Sequence, residues 1–232
     1  MKLLAIDTSS LACSAALAVD GLVCERHEEQ AREHTRLLMP MIQAVLAEGG
    51  LAPDELDAVV LGNGPGSFIG MRIAASVAQG IAHGAGLHIV PVSSLAAVAA
   101  QVLAETDAAE VVVAQDAHLN EVYLGAYRRG SGDDLVEIFP ERLQTQTLIG
   151  ELTPEFAPSR AAAGFGWDRY PDLAAANATL IGQRSRIQHP RARYLLTLGE
   201  QALGRGAAIS PQDLVPAYLR SKVAQKPATE GA

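Results

Sequence analysis

Aromatic residues and cysteines are scarce in this 232-residue chain, and each shortage excludes a class of site. Aromatic residues make up only 4% of the sequence, which leaves few of the stacking platforms that single-stranded nucleic acids bind. The two cysteines alone are too few for a zinc site. A hairpin turn predicted at Asp20 and Gly21 pairs Cys24 with Leu17 and leaves Cys13 well outside disulfide distance. We therefore expect two small, buried thiols.

Long apolar runs and positive charge are also in short supply. No apolar run reaches the ~20 residues that a bilayer requires, and Asp7 interrupts the short apolar stretch after Lys2. The sequence therefore predicts a cytosolic protein. The net charge is -8, and an acidic body argues against unaided binding of RNA, whose phosphates require a cationic surface. Residues 184–226 carry eight Lys or Arg and two Asp or Glu, which indicates either a docking segment for an acidic partner or a solvated helix face.

Two segments of the chain share one pattern, an apolar run that ends in aspartate. The first run starts at residue 3 and ends at Asp7, and the second starts at residue 111 and ends at Asp116. A predicted hairpin follows each run, and the elements of the first half alternate strand and helix after that hairpin. The pattern predicts an α/β fold with mixed sheets, built from duplicated β-β-β-α-β-α lobes with a cleft between them.

The boundary between the two predicted lobes lies near residues 105–109. Residues 1–106 form the N-terminal lobe in this prediction, and residues 107–232 form a smaller C-terminal lobe. The helix predicted near residues 192–204 is expected to pack back toward the N-terminal lobe.

The N-terminal lobe contains three predicted helices. The first has a wide apolar face over residues 37–46. Pro40 lies near its start, where proline is tolerated only in the first turn and otherwise kinks the helix. The second helix is predicted over residues 71–82. The third is predicted over residues 94–103, with Ser93 as its N-cap.

Five short segments, spread over nearly the whole chain, form a recognisable series. They are AIDTS at 5–9, HTRLLMP at 34–40, GPGSFIGMR at 64–72, EVY at 121–123 and VPAYLR at 215–220. In this order and spacing they resemble the TsaB family, also called YeaZ. The resemblance implies an ASKHA fold, that is, an actin-like ATPase or ribonuclease H-like architecture. It also implies a bacterial complex with the catalytic paralogue TsaD and the ATPase TsaE, which transfers a threonylcarbamoyl group to N6 of an adenosine beside certain tRNA anticodons.

The resemblance assigns the supporting role in that complex to this chain. It implies that the partner subunits use ATP and metal and that tRNA is reached through the complex. Without its partner, the free chain is expected to form a homodimer, because exposed apolar patches rarely stay bare. Two residues depart from the family pattern: Ile69 stands where threonine is usual, and His118 where arginine is usual. The first change removes a hydroxyl from the glycine-rich loop. The second replaces a fixed charge with a titratable one.

We expect no catalytic residue and no metal site in this chain. The catalytic paralogue binds metal through His-x-x-x-His, and those two positions align with Ser94 and Val98, of which valine offers no lone pair. Backbone amides of a glycine-rich loop can approach a phosphate, and aspartates at strand ends can face a cleft. On these grounds four residues are weak candidates for binding a cofactor: Asp7, Gly64, Gly66 and Asp116. The alternative is a vestigial pair of aspartates and a tight strand-to-helix turn.

We expect the partner to bind the first two helices. The predicted interface residues are Arg32, His34, Leu37, Leu38, Met41, Ile42, Val45, Arg72, Ile73, Val77 and Ile81. The first helix has too many apolar positions for one narrow core stripe, and Ala74, Ala78 and Gly80 allow close approach in the second. Two helices from each partner would form a four-helix interface. On this hypothesis Leu38→Glu or Ile42→Glu abolishes association while the monomer stays folded. The alternative is that both helices pack only on their own sheet.

Two other functions are consistent with a chain of this kind. One is an ATP-dependent small-molecule kinase of the same fold, and the other is a peptidase-like protein. The sequence contains no Ser-His-Asp spacing and no His-Glu-x-x-His motif to support the peptidase. An accessory subunit predicts negligible ATP turnover by the purified chain, whereas a kinase predicts phosphotransfer by the chain alone.

Overall fold

The strands form two five-stranded sheets in a computed structural model that describes residues 1–30, 32–131 and 134–220. In chain order the strands are β1 (Lys2–Asp7), β2 (Cys13–Val19), β3 (Leu22–Glu28), β4 (Ala58–Gly62), β5 (His88–Val92), β6 (Glu110–Asp116), β7 (Glu121–Arg129), β8 (Leu135–Thr145), β9 (Arg160–Ala163) and β10 (Gln183–Arg184). The first sheet has the order β3-β2-β1-β4-β5, and the second has the order β10-β9-β6-β7-β8.

Both sheets have the same plan around their first strand. Strand β1 pairs antiparallel with β2 and parallel with β4, and β6 pairs antiparallel with β7 and parallel with β9. Asp7 lies opposite Ser14 in one sheet, and Asp116 lies opposite Val122 in the other. The two aspartates therefore end equivalent strands. The predicted α/β fold, with mixed sheets in duplicated lobes, is confirmed.

Six α-helices lie in the described residues, and with the two sheets they form five layers. They are α1 (His34–Gly49), α2 (Phe68–Ala85), α3 (Ser94–Glu105), α4 (Gly166–Arg169), α5 (Pro171–Ala176) and α6 (Ala192–Gly204). Helices α1 and α2 cover one face of the first sheet, and α6 covers the other. Helix α3 packs on the inner face of the second sheet, and α4 and α5 cover its outer face. Within the described ranges, no helix has the length and apolar character needed to cross a membrane.

Helix α3 is shared between the two sheets. It lies before residue 106, yet Leu95, Val98 and Val102 pack against the second sheet. Ala97, on another side of the same helix, belongs to the apolar cluster between the first sheet and α6. This helix therefore joins the two lobes through apolar contact rather than through the chain alone.

Serine side chains cap the N-termini of α2 and α3. The Ser93 hydroxyl accepts hydrogen bonds from the amides of Leu95 and Ala96, at 3.1 Å each, which confirms the predicted N-cap of α3. Helix α2 begins three residues earlier than predicted. The reason is that the Ser67 hydroxyl accepts a bond from the amide of Gly70 at 3.2 Å and caps the helix there.

Pro40 lies inside α1, beyond the first turn, which is the second of the two alternatives that the sequence left open. The helix begins at His34, and Pro40 is its seventh residue. Since proline has no N–H, the carbonyl of Arg36 loses its usual partner four residues later. The sequence could not decide between them, because the first turn is mostly polar and does not share the apolar periodicity that starts at Leu37.

The apolar face of α1 belongs to the core of the first lobe. Four predicted interface residues lie there, each at most 7% exposed: Leu38, Met41, Ile42 and Val45. They cluster with apolar side chains of β1 and β2. His34 is also buried, with its Nε2 3.0 Å from the carbonyl oxygen of Ser10. The prediction that these five residues line a partner surface is wrong for the single chain, because α1 uses this face to cover its own sheet.

Candidate functional site

Asp7 ends β1 inside the protein, where it is only 1% exposed. Its Oδ1 accepts hydrogen bonds from the amide and the hydroxyl of Ser9, both at 2.8 Å, and its Oδ2 accepts one from the Ser94 hydroxyl at 2.6 Å. A Cβ at Gly62 would lie 1.9 Å from Oδ2, so the glycine leaves the space that the carboxylate fills. Asp7 therefore joins the turn after β1 to the first turn of α3.

Burial changes the acidity of this carboxyl group. It raises the pKa of Asp7 to about 6, although the hydrogen bonds from Ser94 and Ser9 act in the opposite direction. A raised pKa is a feature of catalytic carboxyls and also of internal networks. The contacts of Asp7 with serines and a backbone amide of its own lobe favour the internal network.

The glycine-rich loop packs on the turn that follows β1. The amide of Gly64 donates to the Ser94 hydroxyl at 3.1 Å, and the amide of Ser67 donates to the carbonyl of Ser9 at 2.6 Å. A Cβ at Gly66 would lie 2.1 Å from that same carbonyl oxygen. Two amides that could face a phosphate are thus bonded to protein acceptors. The arrangement favours a tight strand-to-helix turn over a phosphate cradle.

Asp116 lies at the end of β6, and its side chain is partly exposed. Its Oδ1 accepts hydrogen bonds from the Tyr170 hydroxyl at 2.6 Å and from the His118 amide at 2.8 Å. Burial, followed by the adjacent carboxylate, raises the pKa of Tyr170 to about 12, so the tyrosine remains a donor at neutral pH. These contacts lie within the second lobe, whereas those of Asp7 lie in the first.

The residues at the aligned metal positions do not fit a metal ion. The Ser94 hydroxyl already donates to Asp7 and accepts from Gly64, and Val98 is buried in the apolar cluster on the second sheet. Among the residues that the structure describes, no group of three or more His, Cys, Asp or Glu side chains is placed to hold a metal. Sequence reasoning missed Ser94 as the link between Asp7 and the glycine-rich loop. The only available signal was a second serine at the start of α3.

The other predicted interface residues lie on the outer side of the first two helices, except Arg32, which precedes α1. They are Arg32 and Arg72, which are exposed, and Leu37, Ile73, Val77 and Ile81, which are half-buried. Two small residues predicted to admit a neighbouring helix do not lie on this surface. Ala74 and Ala78 are fully buried in the core of the first lobe, so that part of the prediction is wrong.

Two glycines in α2 face open space. A Cβ added at Gly80 or Gly84 would meet no atom within 4 Å, and both residues are exposed. Glycine in an exposed helix interior costs about 1 kcal/mol relative to alanine, so the packing of the residues that the structure describes gives no reason for either. We define the α2 outer face by two parallel rows of residues that are four positions apart. One row contains the small residues Ser76, Gly80 and Gly84, and the other contains the apolar residues Ile73, Val77 and Ile81. A groove of small residues beside an apolar ridge suits the packing of another helix.

The sequence is similar to proteins of tRNA modification over nearly its full length. The family model described as TsaD, tRNA N6-adenosine threonylcarbamoyltransferase, matches residues 23–228. A Haemophilus influenzae protein named tRNA threonylcarbamoyladenosine biosynthesis protein TsaB is 37% identical, over 97% of this chain and 96% of its own length. The Escherichia coli protein of the same name is 34% identical, over 97% of both chains.

Two solved structures from Pseudomonas aeruginosa share the architecture of both lobes. One is described as an uncharacterized protein with similarity to peptidase YeaZ. It has a TM-score of 0.85 and 33% identity, and the match covers 94% of this chain and 99% of that one. The other is described as YeaZ, with a TM-score of 0.83, 31% identity, and coverage of 93% and 100%.

Proposed function

This chain belongs to the TsaB family of tRNA threonylcarbamoyladenosine biosynthesis proteins, and we propose that it acts in that synthesis as a non-catalytic subunit. Its partners in this proposal are a catalytic paralogue of the TsaD type and an ATPase of the TsaE type. The assembled complex binds tRNA, and the partner subunits use ATP and metal. The observation that supports the proposal most directly is the α2 outer face, an apolar ridge beside two open glycines.

The residues that the sequence predicted to face a cleft are enclosed by contacts within the protein, and this supports the non-catalytic role. Asp7 is enclosed by hydrogen bonds from its own lobe, and Gly64 and Gly66 are packed against the turn after β1. A serine and a buried valine stand at the aligned metal positions. A general base or metal ligand has to be within reach of a substrate, and Asp7 is not exposed enough for that.

The α2 outer face supports a helix-to-helix contact with the paralogue. Gly80 and Gly84 permit the backbone of a partner helix to approach closely, while Ile73, Val77 and Ile81 supply partly exposed apolar area. Leu37 adds apolar surface from α1, and Arg32 and Arg72 lie at the margins. An interface of ordinary size buries about 800 Å² on each partner, and a pair of helices from each side is sufficient for that. In the absence of the partner, the same face pairs with a second copy of this chain.

Gly80→Leu tests the proposed contact without damage to the monomer. A leucine side chain has free space at this position, and leucine favours a helix over glycine. We expect the free energy of unfolding to stay the same or rise by up to about 1 kcal/mol. The affinity for the TsaD-type partner should fall by about tenfold or more, because the side chain prevents the close approach of the partner helix. Isothermal titration with the purified partner and urea unfolding of the free chain measure the two quantities.

Ala104→Leu is the matched control for this variant. It adds the same side chain at an exposed position in the last turn of α3, outside the α2 outer face. Its affinity for the partner should equal that of the unmodified chain. Equal affinity of the Gly80→Leu chain would contradict the assignment of the interface.

A reconstituted modification assay separates the accessory role from a kinase. With TsaD-type and TsaE-type partners, tRNA and the activated threonylcarbamoyl donor present, modified adenosine should accumulate only when this chain is added. The chain alone should turn over negligible ATP. Phosphotransfer by the isolated chain, or full modification in its absence, would contradict the proposal.

A further inference from the structure

One segment near the end of the described chain crosses from the first lobe to the second. Leu214 is buried in the cluster of α1, α2 and the first sheet. The carbonyl of Val215 accepts a hydrogen bond from the Asn63 side chain at 3.1 Å, and the amide of Ala217 donates to the Asn63 carbonyl at 3.2 Å. Since Asn63 directly follows β4, this part of the segment lies at the carboxyl end of the first sheet.

Tyr218 attaches the segment to the first turn of α2. Its ring packs against Phe68, with 5.3 Å between the ring centroids, and its hydroxyl accepts a hydrogen bond from Arg72 Nε at 3.0 Å. The guanidinium carbon of Arg72 lies 3.7 Å above the Phe68 ring. The three side chains therefore form one stack on the first lobe.

Arg220, two residues later, makes its contacts on the second lobe. Its Nη2 lies 2.7 Å from a carboxylate oxygen of Glu121 and donates to the carbonyls of Ala117, at 2.9 Å, and His118, at 3.3 Å. The side chains of Arg220 and Glu121 are 15% and 25% exposed, so this charged pair is partly shielded from water. Such a pair is stronger than an exposed one.

The loop that Arg220 contacts has an unfavourable backbone. His118, Leu119 and Asn120 have φ values of 59°, 53° and 61°. Three consecutive left-handed residues with side chains are disfavoured and persist only where neighbouring contacts enforce them. The bonds from Arg220 to the carbonyls at the start of this loop are contacts of that kind.

We propose that residues 214–220 are an interlobe clasp, which fixes the first lobe to the second and couples the first turn of α2 to the loop at residues 118–120. The anchors follow the carboxyl ends of β4 and β6, so the clasp links the same end of the central strand region in both sheets. Helix α3 connects the lobes in the layer between the sheets, and the clasp is a second connection at another place. With both in place, rotation of one lobe against the other is restrained. This inference is independent of the proposed partner and does not require the complex.

A double-mutant cycle on the full chain tests whether the two anchors act together. The variants are Tyr218→Ala, Arg220→Ala and the double variant, and the measurement is hydrogen exchange of single amides by NMR. The reporters are the amide of Met71 in α2, bonded to Ser67, and the amide of Glu121, bonded to His118.

Each single variant should accelerate exchange in the lobe it does not touch. Tyr218→Ala should speed exchange at Glu121 by about tenfold or more, and Arg220→Ala should do the same at Met71. The double variant should add little to either single one, because a clasp released at one end no longer acts. Effects confined to the lobe of each anchor, or effects that add in the double variant, would overturn the proposal.

Two conservative variants keep the test decisive if the alanine variants unfold. Tyr218→Phe keeps the ring stack and removes only the hydrogen bond from Arg72. Arg220→Lys keeps a charge near Glu121 and lacks the planar group that reaches two carbonyls as well. Both should show the same crossed pattern with a smaller acceleration. An acceleration only in the variant's own lobe would again exclude the clasp.

Discussion

Leu38→Glu is expected to leave the chain unfolded at room temperature. Leu38 is 1% exposed and packs in the cluster that joins α1 to the first sheet. Loss of a buried leucine costs about 2–5 kcal/mol, and an unpaired buried carboxylate costs several kcal/mol more. The free energy of unfolding of such domains is only about 5–15 kcal/mol, so the combined cost of the substitution is comparable with the total stability. This expectation replaces the interface hypothesis, under which the same variant keeps a folded monomer.

The neighbouring residue provides the control. Met39 is 41% exposed on the other side of the helix, and Met39→Glu should change the free energy of unfolding by no more than about 0.5 kcal/mol. Circular dichroism and urea unfolding of the two purified variants distinguish them directly. A Leu38→Glu chain with native helix content and an unchanged unfolding midpoint would show that this face of α1 is not core.

The contribution of Asp7 to stability is expected to fall by about 3 kcal/mol as the pH rises from 3 to 7. Burial raises the pKa of Asp7 from its ordinary value near 4 to about 6, so in this range the folded chain binds a proton that the unfolded chain releases. The contribution of Asp7 is therefore greatest below about pH 3, declines as the pH rises through 6, and stays at its lower value above about pH 7. Ionisation of an enclosed carboxyl opposes folding because three hydrogen bonds do not fully replace water.

Urea unfolding of the unmodified chain and of Asp7→Asn at several pH values isolates this contribution. Asparagine keeps an oxygen that accepts from Ser9 and carries no charge at any pH. The difference in free energy of unfolding, unmodified minus variant, should decrease by about 3 kcal/mol from pH 3 to pH 7. A constant difference for Asp7→Asn would mean that Asp7 ionises in the folded chain as it does in water.

The plan of the fold could be predicted from short-range patterns. Each apolar run that ends in Asp7 or Asp116 is a buried central strand. Such a strand can be recognised in the sequence, because burial of both its faces gives a nearly continuous run of apolar residues. The cap at Ser93 was equally accessible, since a serine before an apolar helical stretch is a local signal. These features depend on residues close together in the chain.

The orientation of α1 could not be predicted in the same way. Apolar residues at 37, 38, 41, 42, 45 and 46 span more than one stripe, so periodicity predicts a wide face without indicating which edge remains uncovered. The structure buries Leu38 and leaves Leu37 half-covered, and the position of the sheet decides between them. The interface hypothesis therefore selected residues by apolar character when exposure was the property required.

The contacts of the candidate site could not be predicted from the sequence, because they join residues that are far apart in the chain. The bond from Ser94 to Asp7 joins residues 87 positions apart, and no local pattern indicates it. The sequence shows that Gly80 is an unfavourable residue for a helix interior. Only the folded structure shows that no atom lies near the position of its absent side chain. Glu121 and Arg220 belong to two separate sequence segments, EVY at 121–123 and VPAYLR at 215–220, and only the structure shows that they form an ion pair.

The position of α3 has a consequence for any attempt to divide the protein. A fragment that stops at residue 106 would expose Leu95, Val98 and Val102 to water, and a fragment that starts at residue 107 would lack the helix that covers one side of its sheet. Neither half is complete as a folding unit, although the two sheets are copies of one plan. Pieces cut at this point should be insoluble when made separately and should assemble when produced together, since each supplies the surface that the other requires.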